Sequence, residues 1–266
     1  MDYFQSLKTG NSEIPLKMKR IVLIFISLCA SVLSITAQID SVEQQRNAYI
    51  NAKQFVEKGM TPMPDASRFL PAPPTEGGQM FVSDSCMYEW GKTLRSTLRG
   101  DTAVADAGYA IGYFLRRFSP AVKQNLTEKS HPELTQLLLA SMNAGNKSIR
   151  KAKKKFARRR PYQYFKEGTP TPQEEYPDDF TSYPSGHTVR AWMAALTLTA
   201  VLPEYANEIM KIGYEIGQSR VIVGFHYQSD VDAARLAASA AFARLCAEKS
   251  FFEAIEKARK EMKSKD

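Results

Sequence analysis

Histidine and cysteine are scarce: 266 residues contain three of each, and no spacing among them offers a zinc site. No segment of any length alternates with the two-residue period of a strand, β-branched runs are few, and no internal repeat is present. No apolar run reaches the ~20 residues of a membrane span. Ile21–Ile35 is short and dotted with serine; Ala191–Leu202 is shorter still, and Ala233–Leu245 is crossed by Arg235 and Arg244. These absences leave a helical chain. Its composition, 44% hydrophobic and 24% charged, is ordinary for one globular unit with a real core.

Lys19-Arg20, the Ile21–Ile35 run and Thr36-Ala37-Gln38 read as a basic n-region, an h-region and a small-residue cut, the layout of a secretory signal. Met18 is the expected start and Ala37 the expected cleavage point, so the mature chain is periplasmic or secreted. Leu28 before Cys29 does not fit lipoprotein processing. Export leaves Cys86 and Cys246, either a pair or two separately buried thiols. The formal charge is +8; removing four cations (Lys8, Lys17, Lys19, Arg20) and two anions (Asp2, Glu13) leaves +6. A basic exported protein attracts anions.

The expected organisation is an extension with signal over 1–37, a lead-in and proline-rich strap over 38–75, and a helical domain over 76–266. Gly59 should end a helical lead-in, and Pro71–Pro74 cannot be helical. Asp84 is placed to cap a helix from Cys86 to Arg99, and Asp101 another through Ala107, Ile111 and Phe114. Pro120 should begin a short piece before His131. The longest pattern runs from His131 to Arg160, stopped by Pro161. Pro170, Pro172, Glu174, Glu175, Asp178 and Asp179 mark an acidic loop. Helices over Thr188–Leu202, Glu204–Ser219, Tyr227–Cys246 and Phe251–Lys263 follow, with an alanine face from Ala233 to Ala243 fit for close packing. The fold class is all-α.

Three clusters carry chemistry. Lys153 and Arg160, seven apart, share a helical stripe; the remaining cations of Arg150–Arg159 read as a solvated face. In Pro184-Ser185-Gly186-His187, Ser185 caps a helix whose first N–H groups could receive an anion, and His187 could donate a proton to a leaving oxygen. In Ser219-Arg220-x5-His226-x3-Asp230, a helix starting near Phe225 would bring His226 and Asp230 together. The carboxylate would fix the imidazole tautomer and leave the other nitrogen free as a nucleophile, with the Arg220 fork suited to phosphoryl oxygens.

Lys153-x6-Arg160-Pro161, Pro184-Ser185-Gly186-His187 and Ser219-Arg220-x5-His226-x3-Asp230 resemble the signature of the bacterial class A non-specific acid phosphatases. These are members of the phosphatidic acid phosphatase type 2 and vanadium haloperoxidase superfamily. The likeness covers most of the mature chain and is densest over Gly213–Arg235; Thr181 stands where that signature usually has glycine. The resemblance implies a haloperoxidase-type helical fold and phosphomonoester hydrolysis at acidic pH. His226 would form a phosphohistidine, Asp230 would orient it, and His187 would serve as proton donor. Lys153, Arg160, Ser185, Gly186 and Arg220 would bind the phosphate. It implies no metal and no other cofactor, small phosphomonoester substrates, no required nucleic acid, and no membrane span in the mature chain. A homo-oligomer is compatible with it.

Three alternatives compete. A lipid or diphosphate phosphatase of the same superfamily would keep the site and change the substrate. A vanadate-dependent haloperoxidase would keep the pocket and change the chemistry, although such chains are generally much longer. A non-enzymatic basic protein would use the Arg150–Arg160 face to hold nucleic acid or acidic glycans.

Overall fold

A computed structural model describes residues 62–264. The signal, its cut at Ala37, the start at Met18 and the lead-in to Gly59 lie outside the described residues. Among the described residues every regular element is helical, as the all-α reading expects. None of their helices is long and apolar enough to cross a membrane.

The chain enters through Pro71–Pro74 in extended form, then forms α1 (Phe81–Leu94) and α2 (Leu98–Ala105). These bounds correct two expected caps. Asp84 lies in the first turn of α1 and is buried. Thr97, not Asp101, caps α2, its hydroxyl accepting from Gly100 N at 3.4 Å. The chain breaks again before α3 (Ile111–Val122), where Ile111, Phe114, Leu115 and Phe118 fall on one buried stripe. Pro120 lies inside α3 and begins no new piece; burial of Phe118, Ala121 and Val122 carries the helix past it.

α4 (Pro132–Phe156) is the longest helix. It stops short of Arg160 because Pro161 opens the five-residue α5 (Pro161–Phe165). A proline ring inside a helix collides with the carbonyl four residues earlier, here that of Ala157. Ala157 takes a left-handed conformation (φ 42°), and Arg158–Arg160 leave the helix. Lys153 and Arg160 therefore share no helical stripe.

The remaining helices are α6 (Gly186–Val201), α7 (Ala206–Ile222), α8 (Gln228–Leu245) and α9 (Lys249–Lys263). α6 is the central element, packed against α4, α7, α8 and α9. Val189, Ala191, Met193, Ala194, Ala195 and Leu198 are all buried, the apolar-on-all-sides pattern of a core helix. The expected alanine face of α8 is buried as well, from Ala233 to Ala241.

Close approach of α6 and α7 depends on Gly213, where a Cβ would lie 2.5 Å from the Ala195 Cβ. Gly213→Val should therefore destabilise by about 1–3 kcal/mol through overpacking. The measurement is a lower urea midpoint at unchanged denaturant dependence.

Candidate active site

Asp230 is fully buried, and four groups converge on its carboxylate. Oδ2 accepts from Ser182 Oγ at 2.6 Å and from Tyr227 N at 2.9 Å, and lies 3.5 Å from His226 Nδ1. Oδ1 accepts from Arg158 Nη1 at 2.6 Å. The helix starts at Gln228 rather than near Phe225, so His226 precedes it. The pair still forms, because a turn at Gly224 (φ 78°) lets both Phe225 N and His226 N donate to the Arg220 carbonyl.

His226 is locked from its other side too. Arg160 Nη1 lies 3.1 Å from Nε2, and a guanidinium can only donate. Nε2 therefore presents a lone pair, and the proton sits on Nδ1 toward Asp230 and Ser182. Burial, then the charges of Arg160, Lys153 and Arg220, hold its pKa well below 6.5, so the ring is neutral.

Arg220, in the last turn of α7, is fully buried. Nη2 donates to Glu174 Oε2 at 2.8 Å, while Nε and Nη1 have no partner among the described residues. Two buried donors without an acceptor are costly unless an anion arrives. Arg160 likewise commits Nε to Asp179 Oδ2 at 2.8 Å. Lys153 donates to the Thr181 carbonyl, and its Cε lies 3.8 Å from where a Gly186 Cβ would stand. Burial, followed by the Arg160 charge, pushes the Lys153 ammonium down to about 7. Thr181 also accepts from Arg160 Nη2 at 3.3 Å, so the residue standing in place of glycine is tied to two of the cations.

Ser185 caps α6 as expected, accepting from Thr188 N at 3.3 Å, and its own N–H donates to the Asp230 carbonyl at 3.1 Å. His187 follows on the first turn. Its Nε2 donates to the Ala107 carbonyl at 3.0 Å, and its ring meets Tyr109 edge-on at 4.8 Å. Burial and the nearby Arg220 and His226 keep its pKa well below 6.5.

All three clusters thus meet around one imidazole, although Lys153 and Arg160 arrive from different segments. Several participants were not foreseen. Arg158, assigned to a solvated face, is buried between Asp84 and Asp230. Glu174 and Asp179, legible only as members of an acidic loop, pair with Arg220 and Arg160. The Pro71–Pro74 strap frames a separate cavity of about 700 Å³ with Met80, Tyr183, Ser229 and Leu236, which holds none of the eight candidate residues. Among the described residues Cys86 and Cys246 are unpaired, and Cys86 is exposed, so neither expected alternative holds.

Residues 135–252 match the family model of the PAP2 superfamily. A non-specific acid phosphatase of Providencia stuartii is 43% identical over 201 residues, 74% of this chain and 80% of that protein. The chain belongs to this family. A non-specific acid phosphatase of Salmonella typhi is 36% identical over 74% of this chain and 80% of its own length. An acid phosphatase of Zymomonas mobilis is 31% identical over 74% and 75%.

The neutral histidines set a pH dependence. Both have folded pKa values below the 6.5 of the free side chain. Below about 6.5 the unfolded chain binds more protons than the folded one, so stability falls as pH falls through that window. The melting midpoint should drop between about pH 7 and 5, and the combined His187→Gln and His226→Gln variant should show a shallower drop.

Proposed function

We propose that the chain is an exported acid phosphatase that hydrolyses phosphomonoesters through a phosphohistidine on His226, without a metal ion. The observation that carries this reading is the His226 Nε2 lone pair. It is held against Arg160, backed by Asp230, and sits beside the two unpartnered donors of Arg220. The family's curated relatives are named acid phosphatases, which supports the same reaction class.

Nε2 attacks phosphorus as the ester P–O bond breaks, giving a phosphohistidine and an alcohol protonated by His187. His187 Nε2–H is held by the Ala107 carbonyl, so the proton delivered to the alcohol is one that Nδ1 takes up when the phosphate dianion enters. Water then attacks phosphorus, losing its proton to His187, and breaking of the N–P bond returns the lone pair to His226. Lys153, Arg160 and Arg220, with the Ser185 hydroxyl and the Gly186 N–H, hold the equatorial oxygens as charge spreads over them. Asp230 orients His226 and supports its positive charge. Fixed cations do the neutralising that a metal does elsewhere. Secretion rests on the signal-like pattern of residues 18–37.

Purified mature protein should release phosphate from p-nitrophenyl phosphate equally with and without EDTA. His226→Ala should lose turnover, and acid quench of the wild type with labelled substrate should trap label on His226. Activity in His226→Ala, or no trapped label, counts against the covalent route.

His187→Ala should lower kcat about 10²–10⁴-fold on alkyl phosphates and much less on activated aryl phosphates, whose leaving groups need no proton. Equal losses on both would overturn the general-acid role.

A further inference from the structure

Behind Asp230 lies a second buried ion pair that the reaction scheme above does not use. Arg158 donates through Nη1 to Asp230 Oδ1 at 2.6 Å and through Nη2 to Asp84 Oδ2 at 2.7 Å. Its side chain and both carboxylates are almost wholly inaccessible. The guanidinium carbon lies over the Tyr227 ring, 4.0 Å from its centroid. Asp84 in turn accepts from Ser229 N at 2.9 Å and Ser229 Oγ at 2.6 Å. Ser229 Oγ also accepts from Arg158 Nη1 at 2.8 Å. The first turn of α1, the extended segment after α4 and the first turn of α8 therefore meet in one closed hydrogen-bonded ring.

We propose that Asp84 and Arg158 are positioning residues for the His226–Asp230 couple. They fix the carboxylate and hold the cluster behind His226 at a net charge of −1, a role that rests on His226 being the nucleophile.

The charge count gives the argument its force. Asp230 and Arg158 alone would cancel, leaving little negative potential to support an imidazole that becomes positive on attack. Asp84 restores one negative charge, while Arg158 keeps the two carboxylates from repelling each other. Orientation follows the same chain: the planar guanidinium reaches Asp230 and Asp84 through separate nitrogens held at a fixed angle, a fork that a single ammonium nitrogen does not reproduce. Outer partners of this type are commonly worth about 10–100-fold in activity.

Two substitutions have opposite electrostatic signs at His226. Asp84→Asn keeps shape and removes a negative charge, so the His226 cation loses support and its pKa falls. Arg158→Met removes a positive charge, so that pKa rises. The other charged or titratable groups around His226 are Lys153, Arg160, Arg220, His187 and Asp230, with Glu174 and Asp179 behind the arginines. None of them is altered in either variant.

The test measures kcat/KM against pH for p-nitrophenyl phosphate, divided by the wild-type value at each pH so that titration of the substrate cancels. Asp84→Asn should lower kcat about 10–100-fold with KM changed less than about twofold, and move the acid limb to lower pH. Arg158→Met should move that limb to higher pH. Arg158→Lys, which keeps the charge but puts it on one nitrogen without the planar fork, should lose kcat with the limb unmoved; it and Asp84→Asn decide the matter if Arg158→Met does not fold. A folded Asp84→Asn with wild-type kcat and limb overturns the proposal, as do shifts of the same sign in Asp84→Asn and Arg158→Met. Turnover in His226→Ala would overturn the nucleophile assignment and this inference with it. An inactive His226→Ala beside a normal Asp84→Asn overturns the inference alone.

Discussion

Like charges repel, and this fold gathers Lys153, Arg160 and Arg220 around one imidazole. Repulsion among buried or half-buried cations at such range would be severe without compensation. Glu174 and Asp179 supply it from the loop after α5, each taking one side of an arginine fork. Each guanidinium is thereby held in place by a carboxylate; Arg160 spends its other donors on the Phe225 carbonyl, His226 Nε2 and Thr181, and Arg220 leaves two with no acceptor among the described residues. The rest of the structure follows from the need to hold this incomplete neutralisation rigidly. A pocket that is balanced would have no use for a dianion, and one left wholly unbalanced would not stay closed.

Rigidity comes from short backbone devices rather than from the long helices alone. Pro161 forces α4 to end early and sends Arg158 and Arg160 in different directions, one behind Asp230 and one onto His226 Nε2. Gly224 closes a turn that ties Arg220 to His226 through the Arg220 carbonyl. Ser185 N binds the Asp230 carbonyl, which joins the start of α6 to the start of α8. Central α6, set by close contacts at Gly213 and at Gly145, supplies the frame against which these turns are fixed.

The candidate site was legible in sequence because its members are rigidly spaced: a glycine and a histidine behind a capping serine, a histidine four residues before an aspartate. Most helix bodies were legible through their apolar stripes. What escaped was whatever depends on partners far away in sequence. Asp84 sits where a cap would, and only the approach of Arg158 and Ser229 reveals another role. Arg158 belongs to a run of cations indistinguishable by composition, and the proline that frees it from α4 acts four residues upstream of itself. The breaks around α2 were missed because threonine capping at Thr97 is locally no stronger a signal than Asp101.

The two histidines share burial, neighbouring cations and a lowered pKa, yet the proposed reaction asks opposite things of them. Their hydrogen bonds separate them. His226 Nε2 accepts from Arg160, and protonation there would set a cation against a donor; the contact favours the neutral, nucleophilic ring. His187 Nε2 donates to a backbone carbonyl, a contact that favours the cation. A bound phosphate dianion would raise both pKa values, but only His187 has a nitrogen open to take the proton, since phosphorus replaces Arg160 at His226 Nε2. In the proposed reaction, substrate binding itself would assign acid and nucleophile, in the way that environments drive paired titratable groups apart. The Lys153 ammonium, pushed down to about 7 by burial and the Arg160 charge, would regain its proton beside the same dianion.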